Sequence, residues 1–370
     1  MSDDDHSGVG GHGGASFDDP LFYDKTTPQE GSPDTPGKLR PDRKFEMKVY
    51  GRKLEMPDGE DIEFWGFEND LVDVDEEPVR PSSPIRVREG EIVHVTVKPA
   101  KGAHTIHMHG IEIDSHNDGV GHTSFEVNGS YTYQFKAGAP FTGAGGPTPT
   151  RGAGTYIYHC HVNTTLHYQM GMWGPLIVDP ATGPGRAFHN GPKYDPDEER
   201  IWAAGDVDHR WRDLNHAAGL DGENVGLNRF RPSYFDLTGV FQPMRRRRRL
   251  DENGVIEDPR VAVSGSMGGL PVLVRYANAG YSRQLVTFEG IASGHLDVKV
   301  IASDGRPFDG LGPNFAQPFN LWGPLEAITA ERYDLLITPK KRGTTIATVE
   351  SFDWISGRRL GFVKTTVSFD

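Results

Sequence analysis

Residues 85–110 read IRVREGEIVHVTVKPAKGAHTIHMHG. Within EIVHVTVKP, which begins at Glu91, Val93, Val95 and Val97 fall on one side of an extended chain. Ile92, His94 and Thr96 fall on the other, the two-residue period of a half-buried strand. His94 is thus placed on the more polar face, where a solvated imidazole is expected. Outward from here, starting near residue 45, the chain keeps to short alternating runs separated by Gly, Pro and Asn, without sustained helical periodicity. The reading is all-β. The same pattern returns as LPVLVRYANAGYSRQLVTFEG at 270–290, and GTYIYHCH at 154–161 has its counterpart in GTTIATVE at 343–350. Each half has a strand, a turn, a strand ending in Gly, and a late strand opening Gly-Thr, which predicts two copies of one β-sandwich.

A chain of 370 residues exceeds one small core and suits two domains plus a tail. Residues 1–40 are rich in Gly, Asp and Pro and poor in large apolar side chains, so a disordered tail is expected there, with His6 and His12 solvated. The first domain is read as 41–180 and the second as 199–370. Residues 181–198, inside the Gly-, Pro- and charge-dense DPATGPGRAFHNGPKYDPDEER, are read as the linker. A net charge of −13 and the lack of a bilayer-length apolar run argue against nucleic-acid binding and a membrane span. The opening MSDDDHSGVGGHGGAS lacks the basic start and apolar run of a secretion signal, and localisation stays unassigned. The pentad Arg245–Arg249 is expected on a surface loop. The acidic NDLVDVDEEP at 69–78 is expected to be solvated, with steering of cationic substrates as the alternative.

The chain has one cysteine, so no internal disulfide forms and Cys160 is free for chemistry. It stands in YHCHVNTTLHYQMGMW, residues 158–173. On an extended strand His159 and His161 share a face and Cys160 points to the other. Likewise His107 and His109 share a face and His104, an odd step away, points opposite. If the two strands are neighbours, four histidines gather on one surface and His104 with Cys160 on the other. Two imidazoles, a thiolate and a weak thioether make the trigonal site of blue copper, and the loop after Cys160 offers His167, then Met170 and Met172. Zinc is the competing metal, but a tetrahedral structural site takes four ligands and leaves the others idle.

HTIHMHG together with GAGTYIYHCHVNTTLHYQMGMWGPLIV resembles the copper-bearing domain of the multicopper oxidases, especially two-domain bacterial laccases, over roughly residues 80–180. The resemblance implies two tandem cupredoxin-like Greek-key β-sandwiches. By it, His104, Cys160, His167 and Met172 hold a type 1 copper and act in catalysis, with Met170 as the alternative axial ligand. His107, His109, His159 and His161 are then half of the ligands of a type 2/type 3 cluster, reached by electrons through Cys160. The implied activity is oxidation of a small reductant or metal ion with reduction of dioxygen, in a homo-oligomer such as a trimer or with a partner subunit that completes the cluster. The loop from Cys160 to His167 is two residues longer than laccases usually have.

The second half lacks these ligands. Aligned on Gly110 and Gly290, Gln284, Thr287 and Glu289 replace His104, His107 and His109. Aligned on Gly154 and Gly343, Thr348, Val349 and Glu350 replace His159, Cys160 and His161. The remaining His116, His122, His189, His209, His216 and His295 are expected in loops or at the surface. A mononuclear copper electron carrier is therefore the alternative function. A copper nitrite reductase is less favoured, since that family typically lacks a histidine directly after its cysteine.

Overall fold

The computed structural model describes residues 40–71, 80–98, 102–111, 113, 117–120, 130–138, 142–143, 146–147, 152–213, 229–308 and 317–370. The expected tail at 1–39, most of the acidic stretch, and His116, His122 and His216 lie outside the described residues.

The first half runs β1 (Arg43–Glu55), β2 (Asp61–Asn69), β3 (Ile85–Arg88), β4 (Ile92–Lys98), β5 (His107–His109), β6 (Tyr131–Lys136), the short pair β7 (Thr142–Gly143) and β8 (Gly146–Pro147), β9 (Gly154–His159), the helix α1 (Thr164–Met170) and β10 (Trp173–Asp179). Two four-stranded sheets, ordered β2-β1-β4-β6 and β3-β10-β9-β5, face each other. Val93, Val95 and Val97 pack between them with Met108, Tyr158 and Leu176, as the alternation in β4 requires.

The second half runs β11 (Arg200–Val207), β12 (Tyr234–Leu237), β13 (Val240–Phe241), β14 (Met244–Arg246), β15 (Arg249–Leu250), β16 (Val263–Gly265), β17 (Val272–Asn278), β18 (Arg283–Phe288), β19 (Leu296–Ser303), β20 (Arg306–Pro307), β21 (Phe319–Asn320), β22 (Leu325–Ala327), β23 (Arg332–Pro339), β24 (Gly343–Phe352) and β25 (Arg359–Phe369). Its sheets contain β12-β11-β17-β23 and β16-β25-β24-β18. These repeat the first half strand for strand, including the parallel pairs β1 with β4 against β11 with β17, and β3 with β10 against β16 with β25. The fold is all-β and built from two cupredoxin-like sandwiches, as the internal repeat implies.

One local expectation changes and two gain detail. His94 is 2% exposed, with Nε2 3.0 Å from Gln134 Oε1, because the outer face of β4 is covered and satisfies polar groups by pairing. The stretch at 181–198 packs: Ala187, Phe188 and Tyr194 form a small core with Leu273, Ile301 and Leu336 of the second sandwich. The arginine pentad spans the hairpin β14–β15, where Arg247 and Arg248 pair with Glu60 of the β1–β2 turn and hold its carboxyl down at about 2.

The two halves are joined along β9. Arg275, fully buried on β17, donates to Glu199 at 2.6 Å and lies 3.5 Å from Asp334, whose carboxylate also accepts from Thr155 of β9. Gly154 begins β9 because a Cβ there would sit 2.7 Å from Gly305 Cα. The Gly-Thr start read from sequence thus serves close approach of the two sandwiches.

Candidate metal centre

His107 pairs with His159 across β5 and β9, while Met108 pairs with Tyr158 and points into the core. At the equivalent place in the second half, Thr287 pairs with Thr348 across β18 and β24. The two alignments on glycine therefore meet in one register. Gln284, opposite Ser351, accepts from Tyr276 Oη at 2.5 Å and donates to the Ala204 carbonyl. Among the described residues, the groups of side chains near enough to share a metal are His104 with Cys160 and His167, and His107 with His109 and His159.

The first group is fully buried in the first core. Cys160 Sγ lies 3.6 Å from His104 Nδ1 and 3.3 Å from His167 Nδ1, and the imidazole centroids are 4.9 Å apart. Trp65 stands edge-on to His167 at 5.7 Å. Two details depart from the strand reading. His104 lies ahead of β5, which begins at His107, and Cys160 follows the last residue of β9. His167 sits on α1, where a loop was expected.

The helix Thr164–Met170 makes up most of the segment after Cys160, advancing only about 1.5 Å per residue where an extended chain would advance more than twice that. Gly171 ends it at φ 111°, a left-handed conformation that suits glycine. The chain then doubles back, so that the Met172 N–H donates to the His167 carbonyl and the Cys160 N–H donates to the Met172 carbonyl, both at 3.0 Å. Met172 is thereby tied through its backbone to both His167 and Cys160 and is fully buried. The Met170 thioether instead meets Arg212 Nη1 at 3.3 Å.

The second group lies at the end of β5 and β9. His107, His109, His159 and His161 have neighbouring ring centroids 5.2–5.6 Å apart. His107 Nδ1 is 2.8 Å from the Asp118 carbonyl and His159 Nδ1 is 2.9 Å from the Cys160 carbonyl. A carbonyl only accepts, so Nδ1 carries the proton in both rings and Nε2 keeps its lone pair. His159 Nε2 lies 3.4 Å from His109 Nδ1. Burial, then the charge of Arg332, then the neighbouring histidines push His109 down to about 4, and burial first of all pushes His159 well below its usual value. These rings are neutral near pH 7, the form that ligates metals.

Sequence reasoning missed Asp118, which fixes the His107 tautomer, and Thr105, whose Oγ1 accepts from the His161 N–H at 3.0 Å. It also missed Arg332, 4% exposed, whose Nη2 would meet a Cβ placed on Gly110. No periodicity marks these positions, and Arg332 is more than 170 residues along the chain from every one of the four histidines. Of the remaining histidines, His209 bonds Ser233 Oγ at 2.7 Å, His295 bonds Ser293 Oγ at 2.9 Å, and His189 is exposed.

Residues 77–183 match the multicopper oxidase family. A copper resistance protein A homologue of Pseudomonas syringae pv. tomato is 36% identical over 103 residues, 27% of this chain and 15% of that protein. The aligned stretch thus covers a small part of that curated relative's length. A solved multicopper oxidase, mgLAC, superposes with a TM-score of 0.58 at 24% identity, covering 89% of this chain and 86% of that one. The blue copper oxidase from Nitrosomonas europaea does so with a TM-score of 0.58 at 22% identity, covering 88% and 86%. At these identities the likeness to the solved structures is one of fold.

Proposed function

We propose that the chain is a multicopper oxidase, matched to that family over residues 77–183, that takes single electrons from a small reductant or a metal ion at a type 1 copper site and delivers them to dioxygen at a second copper site. The observation that carries this reading is the continuity of the two side-chain groups. Cys160, whose sulfur faces His104 and His167, is covalently flanked by His159 and His161, and its carbonyl also accepts from His159 Nδ1.

Copper bound at these residues supplies one-electron redox chemistry. Two Nδ1 atoms and one sulfur, all out of solvent, match the trigonal donor set better than four-ligand zinc does. Met172 is the axial residue of this reading, since the Met170 sulfur is turned to Arg212. Met172→Leu is expected to shift the blue absorption band, and Met170→Leu to leave it within a few nanometres. A shift confined to Met170→Leu would reverse the assignment. Cys160 links this site to the second through its own backbone, while Asp118 and the Cys160 carbonyl hold His107 and His159 with Nε2 available.

The second half brings Thr287 and Thr348 where the first brings His107 and His159, so a homo-oligomer, such as a trimer, or a partner subunit completes the second site. The same observation favours the second reading, a mononuclear electron carrier. Copper content and dioxygen uptake distinguish them. Several coppers per chain with reductant-dependent oxygen consumption are expected, and one blue copper per chain without oxygen consumption would establish the carrier instead.

A further inference from the structure

Beside α1, at the boundary between the two halves, a set of hydrogen-bond donors is buried without partners among the described residues: Arg80 Nη1, Tyr168 Oη, Trp173 Nε1, and Arg212 Nε and Nη2. Both guanidinium groups neighbour the Phe64 ring. The Arg80 guanidinium carbon is 5.6 Å and that of Arg212 4.5 Å from the Phe64 ring, and Arg80 also lies 4.8 Å from the Trp173 ring, which stacks on Tyr168.

The carboxylates nearby are engaged elsewhere. Asp236 accepts from Arg80 Nε and the Gly239 N–H, both at 3.0 Å. Asp208 accepts from Arg210 and from the backbone N–H groups of Arg210 and Arg231. Arg212 meets a neutral partner, the Met170 thioether. Burial and then the charge of Arg80 disfavour its cation, yet a guanidinium stays protonated in proteins. Two like charges over one aromatic ring, one of them without a carboxylate partner among the described residues, call for an anion.

We propose that a small inorganic anion of halide or nitrate size binds between Arg80 and Arg212, held by Arg80 Nη1 and Arg212 Nε and Nη2, with Tyr168 Oη and Trp173 Nε1 at its margin. Space beside Arg80 is restricted on the Gly171 side, where a Cβ would lie 2.8 Å from the Trp65 carbonyl, 3.4 Å from Phe64 and 3.8 Å from Arg80 Nη1. Buried donors lined by aromatic rings favour a weakly hydrated monovalent anion over a strongly hydrated dianion such as sulfate, whose desolvation costs more. The anion offsets the charge held against Met170 and ties the segment around Arg212 to α1.

The test uses the full chain as purified. Thermal unfolding is followed against chloride, bromide, nitrate and sulfate at matched ionic strength, and crystals are soaked in bromide. A saturable rise in melting temperature with the monovalent anions beyond that with sulfate is expected, together with a bromide anomalous peak between Arg80 and Arg212. Arg212→Gln is expected to abolish both. Tyr168→Phe, which keeps the ring stack, is expected to weaken the anion about threefold to tenfold, the worth of one hydrogen bond. Equal effects of all four salts, or bromide peaks elsewhere and none at this place, would overturn the proposal even if Arg212→Gln does not fold.

Discussion

Copper-loaded Cys160→Ser protein is expected to be colourless in the visible region and to lose reductant oxidation. The serine hydroxyl stays protonated at pH 7 and is a hard donor, whereas the sulfur of Cys160, which faces two Nδ1 atoms at 3.6 Å and 3.3 Å, would bind copper as a soft thiolate. Removing even a hydrogen-bonded neighbour of a metal ligand costs tenfold to a hundredfold in affinity, so losing the thiolate itself should cost at least about 100-fold at this site. Visible absorption and copper content after dialysis measure this. A Cys160→Ser protein that keeps its blue band would show that the sulfur is an ordinary buried thiol.

His159→Gln is expected to have the complementary result, a preserved blue band with dioxygen uptake lowered by about 100-fold or more. His159 stands opposite His107, carries its proton on Nδ1 and turns Nε2 toward His109 at 3.4 Å. Glutamine restores neither the aromatic donor nor the bond to the Cys160 carbonyl. Oxygen electrode traces beside absorption spectra separate the two sites. Unchanged uptake would place dioxygen reduction away from the four histidines, and loss of the blue band as well would mean that the substitution reaches Cys160 through the backbone.

The alternation in β4 and the repeat between halves made the sandwich legible before any coordinates, because a strand between two sheets has to sort its side chains every second residue. The same parity brought His107 and His109 beside His159. It reached less far at Cys160 and His104, which lie just outside the regular strands, where geometry is set by loop closure. The helix that carries His167 is seven residues long, too short for a periodic signal, and is held by its surroundings more than by its own propensity. Gly171 was the local sign of a helix end, but a glycine among methionines and histidines fits many turns. His94 was misjudged because one strand cannot report what covers its outer face. Arg332, Arg212 and Arg80 were invisible for a related reason: their significance lies in what they face across the boundary between halves, and pairings across that distance leave no pattern along the chain.

The second half also grips the segment bearing His167. Tyr281 Oη donates to the carbonyls of Thr164 and Thr165 at 3.2 Å and 3.0 Å, and Gln169 both donates to the Asp206 carbonyl at 2.8 Å and accepts from the Asp208 N–H at 3.1 Å. Each such bond contributes about 0.5–1.5 kcal/mol. Their placement matters more than their sum, since they hold the start and end of one short helix against a separate folded body. A metal ligated there would change its charge with its ligands already restrained, so little nuclear motion would accompany each electron. On that reading, a sandwich without histidines of its own at the matching strands would serve the chemistry as the frame that keeps its neighbour's geometry the same in both oxidation states.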